Sequence, residues 1–142
     1  MNFETLFDSK WITDGIDEKT VDFAEKLGKH LCALEPDKYN PNKMKPSKIA
    51  MSTSQIRNVF GEVKRIQAKG WNEEKSSFLL LRPKIAYSEA RAVAKTSNSR
   101  IQDFRKVMDK AHLEVKNETH FQNFVDLLEA TLAYHKFYGG IE

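Results

Sequence analysis

The sequence predicts an all-α protein, a compact bundle of about five helices with an irregular N-terminal region. Apolar residues recur at intervals of three and four along most of the chain, and no alternating strand pattern is evident. The six glycines and four prolines in 142 residues fall in a few places, where they separate the helical segments. A chain of this length buries enough surface to fold as a single domain, residues 1–142, without a disulfide.

The N-terminal third predicts a docked segment, one helix and one loop. Residues 1–15 contain several large apolar side chains and are expected to form a short amphipathic turn. The first long helix begins near Asp17, and three prolines predict a loop over residues 35–47. The inner face of this helix is expected to hold Val21, Ala24, Leu27, Gly28, Leu31 and Leu34.

The middle of the chain predicts a helix that follows Ser52. Ser52 and Gln55 have the spacing of a capping box, and Gly70 is a typical helix stop. The apolar run 79–81 is expected to be buried. Pro83 either kinks the next helix or opens a new one, which runs to about Lys95.

Two further helices complete the predicted bundle. The polar segment 96–99 separates a helix over about 100–115 from a last helix over about 118–138, which stops at Gly139-Gly140. Apolar residues cover close to half the circumference of the last helix, more than one packed neighbour requires. That helix is therefore either central in the bundle or shared with a partner chain. His135 lies on its apolar face and is expected to be a hydrogen-bonded core residue.

The net charge is only +3, but its distribution is uneven. Residues 1–37 carry 4 basic and 9 acidic side chains, whereas residues 38–69 carry 8 and 1, and residues 82–106 carry 7 and 2. Two basic central blocks next to an acidic N-terminal segment indicate a surface for a polyanion. Ordinary solvated helix faces are the alternative interpretation.

Two of the predicted helices each carry a stripe in which basic and small residues alternate. At 100° per residue, Arg57, Gly61 and Lys64 share one side of the helix that follows Ser52. Small residues let a sugar-phosphate backbone approach, and cations two turns apart can reach separate phosphates. Gly61 is open to a second explanation, the close approach of another helix. The stripe after Pro83 contains Lys84, Ser88, Arg91 and Lys95.

No pattern of residues argues for catalysis, a metal or a cofactor. The four histidines are scattered, and the one cysteine, Cys32, lies near an apolar helix face and is expected to be a small buried residue. The chain has neither an apolar run of 18 residues nor the start of a signal peptide, so we expect a cytoplasmic protein without a membrane partner. Two other functions stay open. Residues 54–58 could read DNA bases from a helix, or the bundle could bind only protein.

Three segments resemble a known family. Residues 48–60 (KIAMSTSQIRNVF) are similar to the signature of the small helical subunit of the type III-A CRISPR interference (Csm) complex. Residues 78–87 (FLLLRPKIAY), with Arg91 after them, and residues 121–138 resemble later helices of that family. The resemblance covers residues 48–138 in order, and residues 1–47 lie outside it.

The resemblance implies a non-catalytic subunit in antiviral defence. Such subunits lie beside the repeat-built backbone subunits and the large subunit, and neighbouring copies associate along the channel that holds guide RNA paired with target RNA. Basic residues would contact the phosphates, while base pairing with the guide supplies sequence specificity. Arg57, Lys64, Lys84 and Arg91 are the expected contacts, supported by Lys48, Arg82 and Lys95, of which Lys64 and Lys95 come from the stripes alone.

Overall fold

The computed structural model describes residues 2–139 and confirms the all-helical class. Two short helices at the N-terminus precede five longer ones, and one small β-hairpin follows the first long helix. Gly140, part of the predicted last stop, lies outside the described residues. The elements are α1 (Phe3–Leu6), α2 (Lys10–Thr13), α3 (Glu18–Leu31), β1 (Leu34–Pro36), β2 (Met44–Pro46), α4 (Thr53–Lys69), α5 (Lys75–Lys95), α6 (Ile101–Leu113) and α7 (Glu118–Phe137).

Three predicted helix ends, the start of α3 and both ends of α4, are confirmed. Ser52 Oγ accepts a hydrogen bond from the Gln55 amide at 3.1 Å, and the Ser52 amide donates to Gln55 Oε1 at 2.8 Å. Asp17 and Thr20 form the same reciprocal box at the start of α3. Gly70 ends α4 with φ +108°, a conformation that favours glycine.

Two N-terminal predictions need correction. The loop predicted over 35–47 contains an antiparallel strand pair in which Leu34 faces Pro46 and Pro36 faces Met44. Each strand has three residues with a proline at its last position, so neither gives an alternating pattern. Of the residues expected on the inner face of the first long helix, Val21 is 39% exposed and Leu34 lies beyond the end of α3, in β1, whereas Phe23 is buried on α3.

The apolar run 79–81 was predicted to be buried, but only one of its three residues is. Leu81 is 1% exposed, but Leu79 and Leu80 are 66% and 55% exposed. Consecutive helical residues lie 100° apart, so three in a row cannot face one neighbour, and α5 packs against α4 and α6 only along one side. Pro83 neither opens a helix nor ends one, because α5 continues through it.

The core surrounds α7, which packs against α2, α3 and α4. His135 on this helix is fully buried, and its Nε2 bonds the Met51 carbonyl oxygen at 2.7 Å, as expected for a core histidine. Burial lowers the pKa of His135 and favours its neutral form. The N-terminal segment docks as expected, with Phe3, Phe7 and Trp11 buried. The width of the apolar surface on α7 is thus explained by a central position.

Candidate nucleic-acid interface

A groove runs between the first half of α4 and the second half of α5. Two adjoining cavities form it, of about 240 Å³ and 150 Å³, and Gln55, Ala92 and Lys95 line both. Arg91 lines the larger cavity and Lys48 the smaller. None of the described residues that line the two cavities is acidic. Three of the predicted cations therefore come together on one polar surface, which we call the α4/α5 groove.

The basic stripe of α5 faces α4. Lys84 Nζ lies 3.8 Å from Glu62 Oε1 on α4, and Ser88 and Arg91 line the groove farther along the same side. Lys84 precedes Lys95 by eleven residues, which places them about 16 Å apart along the axis. Lys84 thus extends the basic side of the groove toward the end of α4.

One acidic residue of α4, Glu62, faces this stripe at Lys84. Glu62 accepts a 2.7 Å hydrogen bond from Arg65, and this bond and the nearby Lys84 hold the pKa of the Glu62 carboxyl below its usual range. Arg65 also bonds Glu74. The Glu62 carboxylate is thus ionised and paired both with Arg65 on α4 and with Lys84 on α5, so part of the charge of Lys84 is offset. Farther along the groove lie the other three cations, Lys48, Arg91 and Lys95.

Three predicted residues lie outside the groove. Arg57 and Lys64 are exposed on α4 about 100° or more around the helix from Asn58 and Glu62, which face α5. Arg82 lies on the other side of α5, where its Nε is 3.8 Å from Asp109 Oδ1 on α6. The seven predicted cations therefore form a groove set, an α4 flank and one separate residue.

The structure distinguishes between the two explanations of Gly61, which were the approach of a sugar-phosphate backbone and the close approach of another helix. A Cβ added at Gly61 would meet no atom within 4 Å, so no helix in the described part of the chain approaches it. As binding residues, Gln55 and Asn58 were considered only for the alternative of reading DNA bases, and neither was grouped with the basic stripe of α5 that lines the same groove. Gln55, Asn58 and Glu62 follow one another at helical spacing, which is the signal that could have grouped them.

Comparison with known families decides the identity. A model of the family described as Csm2 Type III-A matches residues 17–141. The chain belongs to the Csm2 family. Its members are non-catalytic small subunits of the type III-A CRISPR effector complex, so the resemblance seen in residues 48–138 is confirmed and extends back through the hairpin and α3. No curated protein and no solved structure gives a significant match.

The polar groups inside this Csm2 protein serve its packing. His112 Nε2 bonds the Phe78 carbonyl oxygen at 2.7 Å, and the Cys32 thiol is buried against the Gly28 and His135 carbonyl oxygens. Residues 2–139 contain no cluster of three or more His, Cys, Asp or Glu side chains that could hold a metal ion. Within the same residues, no helix combines the length and apolar character needed to cross a membrane.

Proposed function

We propose that this Csm2 subunit binds the phosphate backbone of the guide RNA–target RNA duplex through the α4/α5 groove. The observation that supports this most directly is the convergence of Lys48, Arg91 and Lys95 on a groove lined by no described carboxylate. Lys84 continues the same side, and Asn58 and Ser88 offer neutral hydrogen-bonding groups. Such contacts position a duplex and read its shape without reading its sequence.

The other predicted cations take secondary roles in this proposal. Arg57 and Lys64 lie on the neighbouring flank of α4, where they would contact phosphates that leave the groove. Arg82, beside α6, would reach a different stretch of RNA or another subunit. One chain gives weak, nonspecific affinity, and repetition along the complex raises it by multivalency.

Salt dependence tests the groove proposal. If Lys48, Lys84, Arg91 and Lys95 neutralise about four phosphates, the logarithm of affinity should fall with the logarithm of salt concentration at a slope of about −3 to −4. Fluorescence anisotropy with a short labelled RNA duplex measures this slope. Competition with random DNA is the second arm. A persistent preference for one DNA site, or no binding at about 50 mM salt, would overturn the proposal.

Neighbouring copies meet, in the same proposal, through the outer side of α5. Leu79, Leu80 and Tyr87 are 66%, 55% and 66% exposed, and Pro83 and Ala90 between and beyond them are exposed on the same side. We call this surface the apolar α5 face. It follows about three turns of the helix, and exposed apolar surfaces of this kind mark interaction sites.

A second copy offers a complementary surface. At the start of α3, the exposed acids Asp17, Glu18 and Asp22 are close in sequence to Ile16 and Val21, which are 36% and 39% exposed, with one exposed lysine, Lys19, among them. The apolar α5 face is instead flanked by basic residues. The two surfaces lie on different helices, α3 and α5, so one copy presents both of them. Contact between these two different surfaces would be head to tail, and repeated contacts of that type form an open stack unless the rotation between copies closes them into a ring.

Sedimentation velocity tests the stack. The wild-type protein is expected to form concentration-dependent oligomers at about 100 µM, and Leu79→Ser with Leu80→Ser and Tyr87→Ser should remain monomeric. Reversing the charges of Glu18 and Asp22, on the acidic surface of α3, should also keep the protein monomeric. The matched control replaces exposed apolar residues elsewhere, Leu6, Tyr39 and Phe137, by serine. A monomeric wild type at this concentration would refute self-association through the apolar α5 face.

A further inference from the structure

A second cleft, of about 640 Å³, lies between α3, the β-hairpin and the ends of α6 and α7. It is open to solvent, and its volume is in the range of clefts that bind small organic ligands. The described residues that line it include the basic side chains Lys26, Lys29 and Arg100 and no acidic one. Neither the family assignment nor the duplex groove accounts for this cleft, since the groove cations line other cavities.

The three cations of the cleft are available for an anion. Lys26 and Lys29 are exposed and lie about one turn apart on the same side of α3. No described carboxylate is paired with either lysine or with Arg100, although the N-terminal third of the chain is acidic. Basic residues without acidic partners beside a concave surface favour a ligand that carries more than one negative charge.

Arg100 is held in position by a histidine. Its Nη1 donates to the His30 carbonyl oxygen at 3.2 Å and lies 2.5 Å from His30 Nδ1 and 3.1 Å from His30 Nε2, while Asp103 Oδ2 lies 2.7 Å from His30 Nε2. Burial lowers the pKa of His30, in keeping with a neutral ring that accepts at Nδ1. The Nε and Nη2 groups of Arg100 have no partner among residues 2–139, so one edge of the guanidinium can donate to a ligand.

The other wall of the cleft is apolar and partly aromatic. Tyr138 lines it, with its hydroxyl bonded to Glu25 and with Lys29 Nζ 5.3 Å from the ring centroid. Leu34 and Met44 of the hairpin strands add aliphatic surface, and Met44 is 56% exposed. A flat, weakly polar group fits this wall, whereas a simple inorganic anion would leave it uncovered.

We infer that this cleft binds a nucleoside phosphate, either free or at the unpaired end of an RNA strand. The phosphate lies at Arg100 with Lys26 and Lys29 around it, and the base lies against Tyr138 and Met44. Three cations match a phosphate monoester, which carries nearly two negative charges at neutral pH. The bidentate geometry of a guanidinium edge also suits two phosphate oxygens.

Isothermal titration of the full chain with nucleoside 5′-monophosphates tests the inference. We expect a dissociation constant of about 10 to 500 µM, and at least about tenfold weaker binding by Arg100→Gln. The matched control is Lys106→Gln, which removes one charge from an exposed position on α6. Circular dichroism checks that both variants keep the wild-type helix content.

Titrations with further ligands distinguish a free nucleotide from the end of an RNA strand, and both from inorganic phosphate. Tighter binding of a 5′-phosphorylated RNA tetranucleotide than of the mononucleotide would assign the cleft to a strand end, and the reverse order to a free nucleotide. The inference fails if no nucleotide binds at about 5 mM, if inorganic phosphate binds as tightly as the nucleotide, or if Arg100→Gln binds normally. Glutamine at Lys48, Arg91 and Lys95 should leave the nucleotide titration unchanged, so the cleft and the duplex groove can fail independently.

Discussion

Simultaneous replacement of Lys48, Arg91 and Lys95 by glutamine should weaken binding to a short RNA duplex about 100-fold or more at about 50 mM salt. These residues line one groove, so the triple variant removes the positive charge from its walls together. Each lost phosphate contact also lowers the counterion release by about one, and the salt slope should fall from about −3.5 to about −1. Anisotropy titrations at several salt concentrations measure both quantities.

The control variant has the same net charge as the groove variant, but its substitutions lie on other surfaces. Lys10, Lys38 and Lys106 are exposed on α2, in the hairpin loop and on α6, and their replacement by glutamine also removes three charges. If the groove proposal is correct, this control keeps most of the affinity and most of the slope. Equal losses in the two triple variants would show that only the overall charge attracts RNA, and the groove would have no special role.

Gly28→Ala is expected to destabilise the fold by about 3 kcal/mol. A Cβ at this position would lie 2.7 Å from the His135 backbone nitrogen, 2.9 Å from the Thr131 carbonyl oxygen and 2.9 Å from Tyr134 Cβ. The first two are backbone atoms of α7 and cannot rotate away, so α3 and α7 would have to separate. Urea unfolding followed by circular dichroism measures the loss.

The opposite result is expected at Gly61, which is the natural comparison. Gly61 is exposed inside α4 with nothing within 4 Å of its added Cβ, so alanine there should raise the free energy of unfolding by about 0.5 to 1 kcal/mol. Similar stability of the two alanine variants would contradict the close approach of α3 and α7.

Local chemistry made much of the fold predictable. The reciprocal bonds of Ser52 and Gln55 and the left-handed Gly70 involve neighbours in sequence, so the ends of α4 could be read from the residues. The burial of Leu81 but not of Leu79 and Leu80 depends on which side of α5 meets α4 and α6, and this is a tertiary property. The short hairpin strands were missed because three residues are too few to show alternation.

The sequence likewise predicted the part of the candidate site that lies on one helix, but not the part that depends on tertiary packing. Angular arithmetic groups Lys84, Arg91 and Lys95 on one side of a helix, and the structure shows that side facing α4. Arg82 is only two residues from Lys84, but two residues are 200° on a helix, so it faces α6 instead. Lys48 precedes α4, and only the packing of the chain brings it to Lys95.

The proline inside α5 has a consequence for whatever covers that helix. Pro83 has no amide hydrogen, so the carbonyl oxygen of Leu79 lacks its usual donor four residues later. Water can satisfy this oxygen while the surface is open, but a purely hydrocarbon partner would bury it unpaired at a cost of about 1 to 3 kcal/mol. A well-matched partner must therefore place a hydroxyl, amide or cationic group within hydrogen-bond distance of the Leu79 carbonyl oxygen. This requirement distinguishes such a partner from other apolar surfaces of similar shape.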